Sequence, residues 1–382
     1  MIKKNKKIRI GIDARFFGPF QKGLGRYVQK LVENLEYIYK TESDKEFIIF
    51  LRKSNFNEYN PKNPNFKKVL ADYRWYSFKE QIFMPFKIRK EKIDLMHFCH
   101  FNVPILLHKK FVVTIHDLVL KKFPTRKAST LGPLRYFIKQ LFYKLVIYLA
   151  IKRAKKIITV SNFAKKEILF YFKINENKVE VIYEGASDFF CKGSYSNGSL
   201  KKFGINMPYI LYVGNAYPHK NLERLIFAFK KLIQKYKLNL QLVLAGEIDY
   251  FYKKLQDKIS NYKLPIIFTG FISDNDLYLL YKNALIYVFP SLCEGFGLPP
   301  LEAMSFGVPV VCSDKGALPE ILGDSAVYFD PVNINDIAEK IRFVFKNNKL
   351  REELRKKGFC RIKNYSWKEM ARRTLEVYKD VI

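Results

Sequence analysis

Short apolar runs alternate with longer stretches in which apolar positions recur at helical spacing, and this alternation fills both halves of the chain. The runs predict strands at 8–13, 46–51, 95–98, 111–115, 156–160 and 179–183, and again at 209–213, 240–245, 266–269, 286–289, 308–312 and 326–329. The intervening stretches predict helices, among them 25–39, 134–154, 161–172, 222–236, 274–283, 299–305 and 334–347. Nearly continuous apolar strands separated by helices indicate parallel sheets buried on both faces.

The predicted fold class is α/β, with two Rossmann-like domains facing each other across a cleft. A chain of 382 residues is too long for one ordinary core. We expect an N-terminal, acceptor-side domain at 1–190, a polar linker at 191–205, a C-terminal, donor-side domain at 206–365, and a helix at 366–382 that crosses back to the first domain. Open parallel sheets bind ligands at the carboxyl ends of their strands, so the site is expected in the cleft.

The formal net charge of +32 is unevenly distributed, with 39 basic and 17 acidic residues in 1–190 and 29 and 19 in 191–382. Such a charge favours an anionic partner: nucleic acid, an acidic membrane surface or a phosphorylated ligand. A biased genome composition is the alternative cause. Five cysteines without CxxC spacing predict reduced thiols and no structural zinc. The apolar runs are far shorter than the roughly 20 residues that span a bilayer, so we expect a cytoplasmic protein.

One segment, 134–156, carries seven basic residues, no acids and five aromatic residues. As a helix it would suit the surface of an anionic bilayer, which would place the protein peripherally at the inner face of the cytoplasmic membrane. The alternative is a helix that packs on the core and has a solvated basic end.

Two glycine-containing turns follow predicted strands. Gly23 and Gly25 open the first helix, where backbone N–H groups and the helix dipole favour an anion; a tight strand-to-helix turn is the alternative. Their spacing is not the GxGxxG of dinucleotide-binding proteins. In the second half, Gly214 is followed by Lys220 immediately before a helix, and a lysine there can neutralise a phosphate.

A third loop, within the segment 291–313, places two carboxylates around glycine and proline residues. Glu294 precedes Gly295 and Gly297, and Pro299 fits the start of a helix that contains Glu302. N–H groups around 296–300 are expected to cradle a pyrophosphate. Carboxylates accept hydrogen bonds from vicinal hydroxyls, such as those of a sugar or ribose. For Glu302, stabilisation of its own helix by charge–dipole interaction is the alternative.

The E-x7-E motif formed by Glu294 and Glu302 lies inside EGFGLPPLEAMSFGVPVV, which resembles the signature of retaining, nucleotide-sugar-dependent glycosyltransferases of family 4 with the GT-B fold. The similarity extends in order along nearly the whole chain, through GLGRY, TIHDL at 114–118, VSNFA at 160–164, Gly214 with Lys220, LAG at 244–246 and FTGF at 268–271. Similarity of GLGRY and VIYEGAS to one subgroup favours mannosyl transfer from GDP-mannose.

The resemblance implies roles for individual residues. Glu302 would hold the donor ribose, Glu294 would contact the transferred sugar, and Lys220 would pair with the diphosphate. His116 would reach the donor sugar near the reacting carbon. The backbone around the sugar diphosphate and the walls of the cleft would be formed by Gly295, Phe296, Gly297 and Leu298, and by Gly23, Gly25 and Gly214.

One position departs from the family pattern: many members have an arginine where this chain has Asn215. His219 or an arginine elsewhere, for example Arg26, is expected to supply the second positive charge. The resemblance also implies front-face attack with retention, no metal cofactor, and a leaving phosphate that helps to deprotonate a saccharide or lipid-linked acceptor in surface polysaccharide assembly. Glu294 then orients the sugar and is not a nucleophile.

Several alternatives remain at this point. The D-x-D of Asp274 and Asp276 is the form used by metal-dependent glycosyltransferases of another fold, but Ser273 before it predicts a helix N-cap. The same fold could use a UDP-sugar or epimerise a nucleotide sugar. A basic nucleic-acid-binding protein is the non-enzymatic alternative, although helix-turn-helix, RNP and zinc signatures are missing from the sequence.

Overall fold

The computed structural model describes residues 7–18, 21–39, 44–123, 133–186 and 200–382, without the side chains of residues 22, 133–136 and 139. Contacts divide the chain into two compact units: Met1–Leu118 with Ser129–Gly185 and Ser366–Ile382, and Val119–Ala128 with Ala186–Tyr365. Most of the expected linker, 191–199, lies outside the described residues.

The strands are β1 Ile8–Asp13, β2 Lys45–Leu51, β3 Phe66–Leu70, β4 Leu95–Phe98, β5 Lys110–Ile115, β6 Lys156–Thr159, β7 Val179–Val181, β8 Tyr209–Val213, β9 Gln241–Ala245, β10 Ile266–Phe268, β11 Ile286–Phe289, β12 Val310–Ser313 and β13 Ala326–Phe329. The helices are α1 Lys22–Ile38, α2 Phe78–Lys90, α3 Val119–Lys122, α4 Pro133–Arg153, α5 Asn162–Phe172, α6 Leu222–Gln234, α7 Tyr250–Ile259, α8 Asp274–Asn283, α9 Leu298–Ser305, α10 Leu318–Leu322, α11 Ile334–Lys346, α12 Asn348–Arg361 and α13 Trp367–Val381.

The first unit contains a parallel sheet with the strand order β3-β2-β1-β4-β5-β6-β7. The central strands are apolar and buried because helices cover both faces of a sheet of this kind. Helix α13 belongs to this unit, where the hydroxyl of Tyr378 lies 2.6 Å from Nδ1 of His97 on β4. The strand order reverses between β1 and β4, so the carboxyl ends of these two strands are the first candidate for ligand binding in this unit.

The second unit contains a parallel sheet with the order β10-β9-β8-β11-β12-β13. Its order reverses between β8 and β11. The two loops that carry Lys220 and Glu294 follow these two strands, so both loops begin at the switch point of the sheet. The predicted α/β class with two parallel-sheet, Rossmann-like domains is confirmed.

Strand β3 and helix α2 are among the elements that were not predicted. Strand β3 is an edge strand in which Lys67 and Lys68 interrupt the apolar pattern. Helix α2 buries Met84 and Ile88 but also the polar side chains of Glu80 and Gln81, and it exposes phenylalanines, which departs from the usual helical pattern. At α8, the expected cap is confirmed because Oγ of Ser273 accepts a hydrogen bond from the Asp276 N–H.

Candidate active site

Lys220 and Glu294 form an ion pair in the second unit, although 74 positions separate them in the chain. The lysine Nζ lies 2.6 Å from Oε1 of Glu294 and 5.4 Å from the ring centroid of Phe289. The two side chains keep 16% and 14% of their surface exposed. An ammonium group and a carboxylate therefore meet at the carboxyl edge of the sheet, at the switch point between β8 and β11, and both retain contact with solvent.

Asn221 holds this edge together and was missed by sequence reasoning. Its Nδ2 donates to the carbonyls of Pro290, after β11, and Pro331, after β13, at 3.0 and 2.7 Å. Its Oδ1 accepts from Arg224. The residue adopts a left-handed conformation with φ of 61°, which asparagine tolerates better than most residues. Asn221 thereby fixes the position of Lys220, its neighbour, against the loop that bears Glu294. Its place between a lysine and a helix start was the only sequence signal.

Glu302 is the fifth residue of the eight-residue helix α9 and is almost fully buried. Its Oε2 accepts a hydrogen bond of 3.1 Å from the hydroxyl of Tyr281. The helix begins at Leu298, directly after Gly297. The expected row of N–H groups at 296–300 is wrong in part, because residues 299 and 300 are prolines and have no amide hydrogen. The remaining amide donors of this loop come from residues 295–298.

The missing positive charge at position 215 is not supplied by His219. Burial lowers the pKa of His219 to about 4, and the neighbouring charge of Lys220 adds to this effect, so the imidazole is neutral at pH 7. Asn215 itself is a turn residue whose Oδ1 accepts from the Tyr217 N–H. Gly214 precedes it with φ of +151°, and a Cβ at this position would lie 2.7 Å from the hydroxyl of Tyr212.

In the first unit, His116 follows β5 and has both ring nitrogens in contact with acceptors. Nδ1 lies 3.1 Å from a carboxylate oxygen of Glu184, and Nε2 lies 3.0 Å from the carbonyl oxygen of Cys99. Both contacts are hydrogen bonds only if both nitrogens carry a proton. Burial alone would lower the pKa of His116, but the hydrogen bond to Glu184 and its charge raise it above the usual value. The two acceptors therefore favour the protonated form of His116.

The glycine turn before α1 lies in the same unit. Gly25 is buried, and a Cβ there would lie 2.0 Å from the carbonyl oxygen of Gly18, so close packing of the turn alone requires glycine at this position. Gly23 is exposed. The turn follows β1, one of the two strands at the switch point of the first sheet.

Close to this turn, the first unit buries a charged cluster that sequence reasoning missed. The guanidinium of Arg15 lies 2.6 Å from a carboxylate oxygen of Asp13 and 2.6 Å from one of Glu80. It also donates to the carbonyl of Tyr73, while Asn102 donates to Glu80. Every charged member is buried. The described residues contain no group of three or more His, Cys, Asp or Glu side chains placed to hold a metal ion.

Comparisons with known proteins show to which family the chain belongs. Residues 22–188 match the family model described as Glycosyltransferase Family 4, and residues 201–361 match the one described as Glycosyl transferases group 1. O-antigen chain mannosyltransferase B of Escherichia coli is 29% identical over 378 residues, which are 94% of this chain and 96% of that protein. O-antigen chain mannosyltransferase RfbU of Salmonella typhimurium is 29% identical over 261 residues, 67% of this chain and 66% of that protein.

Among solved structures, sucrose-phosphate synthase from Thermosynechococcus elongatus superposes with a TM-score of 0.76 at 19% identity, over 98% of this chain and 99% of that one. At this identity the likeness concerns the fold. Together with the two family models, it confirms the resemblance that the E-x7-E motif indicated. The chain is a glycosyltransferase of the GT-B fold, in which a family 4 domain precedes a group 1 domain.

Proposed function

We propose that this enzyme transfers a hexose, mannose from GDP-mannose, with retention onto a saccharide or lipid-linked saccharide in the assembly of a surface polysaccharide. The observation that carries the proposal is the ion pair of Lys220 and Glu294 at the switch point of the second sheet, followed in the chain by the helix that contains Glu302. The printed names of the two bacterial relatives, both O-antigen mannosyltransferases, support mannose as the sugar.

In the proposed reaction the bond between the anomeric carbon and the diphosphate oxygen breaks, and the acceptor oxygen bonds to that carbon from the same face. The acceptor proton passes to the departing phosphate. Negative charge grows on the diphosphate, and the ammonium of Lys220 is the group that stabilises it, so we propose that no metal ion is required. Glu294 exchanges its contact with Lys220 for the sugar hydroxyls, and Glu302, oriented by Tyr281, accepts from the ribose hydroxyls.

The direct test is a thermal-shift panel of GDP, UDP, GDP-mannose and UDP-sugars on the wild-type protein and on Glu302→Gln. We expect GDP-mannose to raise the melting temperature of the wild type and to have a much smaller effect on the variant. Glu353→Gln, on an exposed face of α12, is the control and should behave as the wild type does. A protein stabilised by no nucleotide would contradict the proposed donor site.

A turnover assay separates the alternative activities. Release of GDP only when acceptor saccharide is present, and undiminished by EDTA, is the expected result. Interconversion of the nucleotide sugar without acceptor would indicate an epimerase. Salt-sensitive binding to random DNA without any turnover would indicate a nucleic-acid-binding protein.

The proposal includes binding to an anionic membrane surface through the segment 134–156, most of which forms α4. Exposed apolar side chains follow one another along this helix, with Phe137 66% exposed, and exposed Lys144 and Lys152 lie among them. Within the described ranges no helix is both long and apolar enough to cross a bilayer. An apolar helix surface that also carries lysines and no acids suits the interface of an anionic bilayer.

Helix α2 extends this surface. The loop 101–107 forms hydrogen bonds with both helices. The Ile105 N–H donates to Gln81 of α2, and Arg153 of α4 donates to the carbonyls of Ile105 and Leu107. The exposed apolar side chains of the combined surface are Phe78, Ile82, Phe83 and Phe86 of α2, Leu106 of the loop, and Phe137, Ile138, Leu141, Leu145 and Tyr148 of α4. The one acid of α2, Glu80, is buried, so the charge that this helix exposes is positive.

Sedimentation with vesicles tests this surface. The full chain is expected to bind vesicles that contain phosphatidylglycerol and to bind pure phosphatidylcholine vesicles weakly. Phe78→Ser combined with Phe137→Ser should reduce binding at least tenfold, because each phenylalanine loses its apolar contact with the bilayer. Phe343→Ser, at a 55% exposed position of the second unit, is the matched control. Equal binding by the double variant and the control would contradict the proposed surface.

A further inference from the structure

Three buried tyrosine hydroxyls meet three consecutive carbonyls of the turn after β8. The hydroxyl of Tyr287 lies 3.4 Å from the carbonyl oxygen of Val213, that of Tyr252 lies 2.9 Å from Gly214, and that of Tyr212 lies 2.7 Å from Asn215. The tyrosines come from β11, α7 and β8. Three separate elements of the core therefore converge on one short turn, which leads to Lys220.

These hydroxyls act only as hydrogen-bond donors to the turn, because the tyrosines are fully buried. Burial raises the pKa of Tyr212 and Tyr252 well above the usual value, so both stay protonated and act as hydrogen-bond donors. A buried phenol needs an acceptor, and here the acceptor in each case is a main-chain carbonyl of the turn. Removing one hydroxyl would leave a carbonyl of the turn without this partner.

Because the trans peptide unit is planar, the direction of each carbonyl group also fixes the direction of the N–H group in the same unit. In each peptide unit the N–H points opposite to the C=O. Because the carbonyls of Gly214 and Asn215 point at core hydroxyls, the N–H groups of Asn215 and Ala216 point to the other side of the turn. The preceding unit obeys the same rule: its carbonyl, on Val213, meets Tyr287, and its N–H, on Gly214, donates to Ala245 of the neighbouring strand.

We infer that Tyr212 and Tyr252 are positioning residues that aim the amide donors of Asn215 and Ala216 at the diphosphate of the donor. Successive N–H groups in a turn form an anion-binding concavity. In this chain such donors take over part of the role that a second basic residue would have at position 215, since His219 is neutral. The inference rests on the proposed function, because it concerns the diphosphate of that same site.

The test compares affinities for ligands with and without the diphosphate. Binding of GDP, UDP and the corresponding nucleosides is measured by calorimetry for wild type, Tyr212→Phe and Tyr252→Phe. Each variant is expected to bind the diphosphates about tenfold more weakly while its affinity for the nucleosides is unchanged. In turnover, the KM for the sugar nucleotide should rise more than kcat falls.

Tyr209→Phe is the matched control. This tyrosine is also buried in the second unit and also donates to a main-chain carbonyl, that of Leu280, at 2.7 Å, but it does not contact the turn. Its removal imposes a similar loss of stability and should leave the ratio of diphosphate to nucleoside affinity unchanged. The ratio concerns folded molecules only, so partial unfolding of a variant does not distort it.

The outcomes separate this inference from the proposed function. A wild-type protein that binds no nucleoside diphosphate contradicts the proposed function and this inference with it. Wild-type binding combined with the same affinity ratio in Tyr252→Phe, Tyr212→Phe and Tyr209→Phe contradicts the positioning role alone. A lowered ratio only in the two turn-contacting variants supports it.

Discussion

Each unit has ion-paired residues just after a strand at the switch point of its sheet, but the two ion pairs differ in their exposure to solvent. In the first unit, Arg15 contacts Asp13 and Glu80, and all three are buried. In the second unit, Lys220 contacts Glu294, and both keep part of their surface in solvent. A charge that is fully enclosed by protein partners cannot exchange them for a ligand without a large desolvation cost, whereas a partly solvated charge can.

Under the proposed function, this difference separates a structural cluster of charges from a catalytic site. The guanidinium of Arg15 is committed to two carboxylates and to the carbonyl of Tyr73. Lys220 is held near one carboxylate, and Asn221 next to it fixes the backbone. The number of ion pairs therefore says little about function, and their access to solvent and their place in the sheet topology say more.

The largest expected effect is on folding of the first unit. Arg15→Met should lower the free energy of unfolding by about 3–5 kcal/mol, because it leaves two buried carboxylates without their cation. Chemical denaturation followed by fluorescence measures this. Arg342→Met, which breaks an exposed pair with Glu339, should cost at most about 1 kcal/mol. Equal losses in the two variants would remove the distinction between buried and solvated pairs.

The next effect is on catalysis by the second unit. Lys220→Met should reduce kcat by roughly 10²–10³-fold, since one group that stabilises charge on the leaving diphosphate is lost. Its unfolding free energy should change less than that of Arg15→Met, because Glu294 retains solvent. Steady-state kinetics with GDP-mannose and denaturation on the same preparation measure both quantities. Lys253→Met, at an exposed position of α7, is the control and should leave kcat unchanged. A Lys220 variant with normal kcat would contradict the role of this ion pair.

The smallest effect is a pH dependence in the first unit. Because the folded protein raises the pKa of His116, its stabilising contribution is fully present below the unfolded pKa of about 6.5 and is lost as pH rises through the folded pKa. His116→Gln should therefore destabilise the protein more at pH 6 than at pH 9.

Glu184→Gln provides the check on this prediction. Glu184 holds the charged form of His116, and in its absence the destabilisation by His116→Gln should vary much less between pH 6 and pH 9. Buried His97 behaves oppositely: burial lowers its pKa to about 3, so it weakens the fold as pH falls below about 6.5. A His116 effect that is equal at both pH values would show that its imidazole is uncharged.

The strands that were predicted are those whose side chains are apolar on both faces. Burial against helices on both sides of a parallel sheet leaves this pattern in the sequence, as in β1, β5, β8 and β11. The same reasoning failed for β3, at an edge, and for α2, which buries Met84 and Ile88 in the core but exposes its phenylalanines. On α2, apolar side chains lie on the exposed surface as well as in the core, so burial alone does not explain the pattern of this helix.

By itself, the sequence determined the α/β class, the parallel sheets, the E-x7-E motif and the positions of Lys220, Glu294 and Glu302, because these depend on local periodicity and on short motifs. Only the tertiary structure decided that Lys220 pairs with Glu294, that Asn221 joins three strand ends, and that His219 is neutral. It alone also brought Tyr252 and Tyr287, which are distant in the chain, to the turn that follows Tyr212. The physical reason is that burial, pairing and pKa depend on neighbours far away in the chain, which no local pattern encodes.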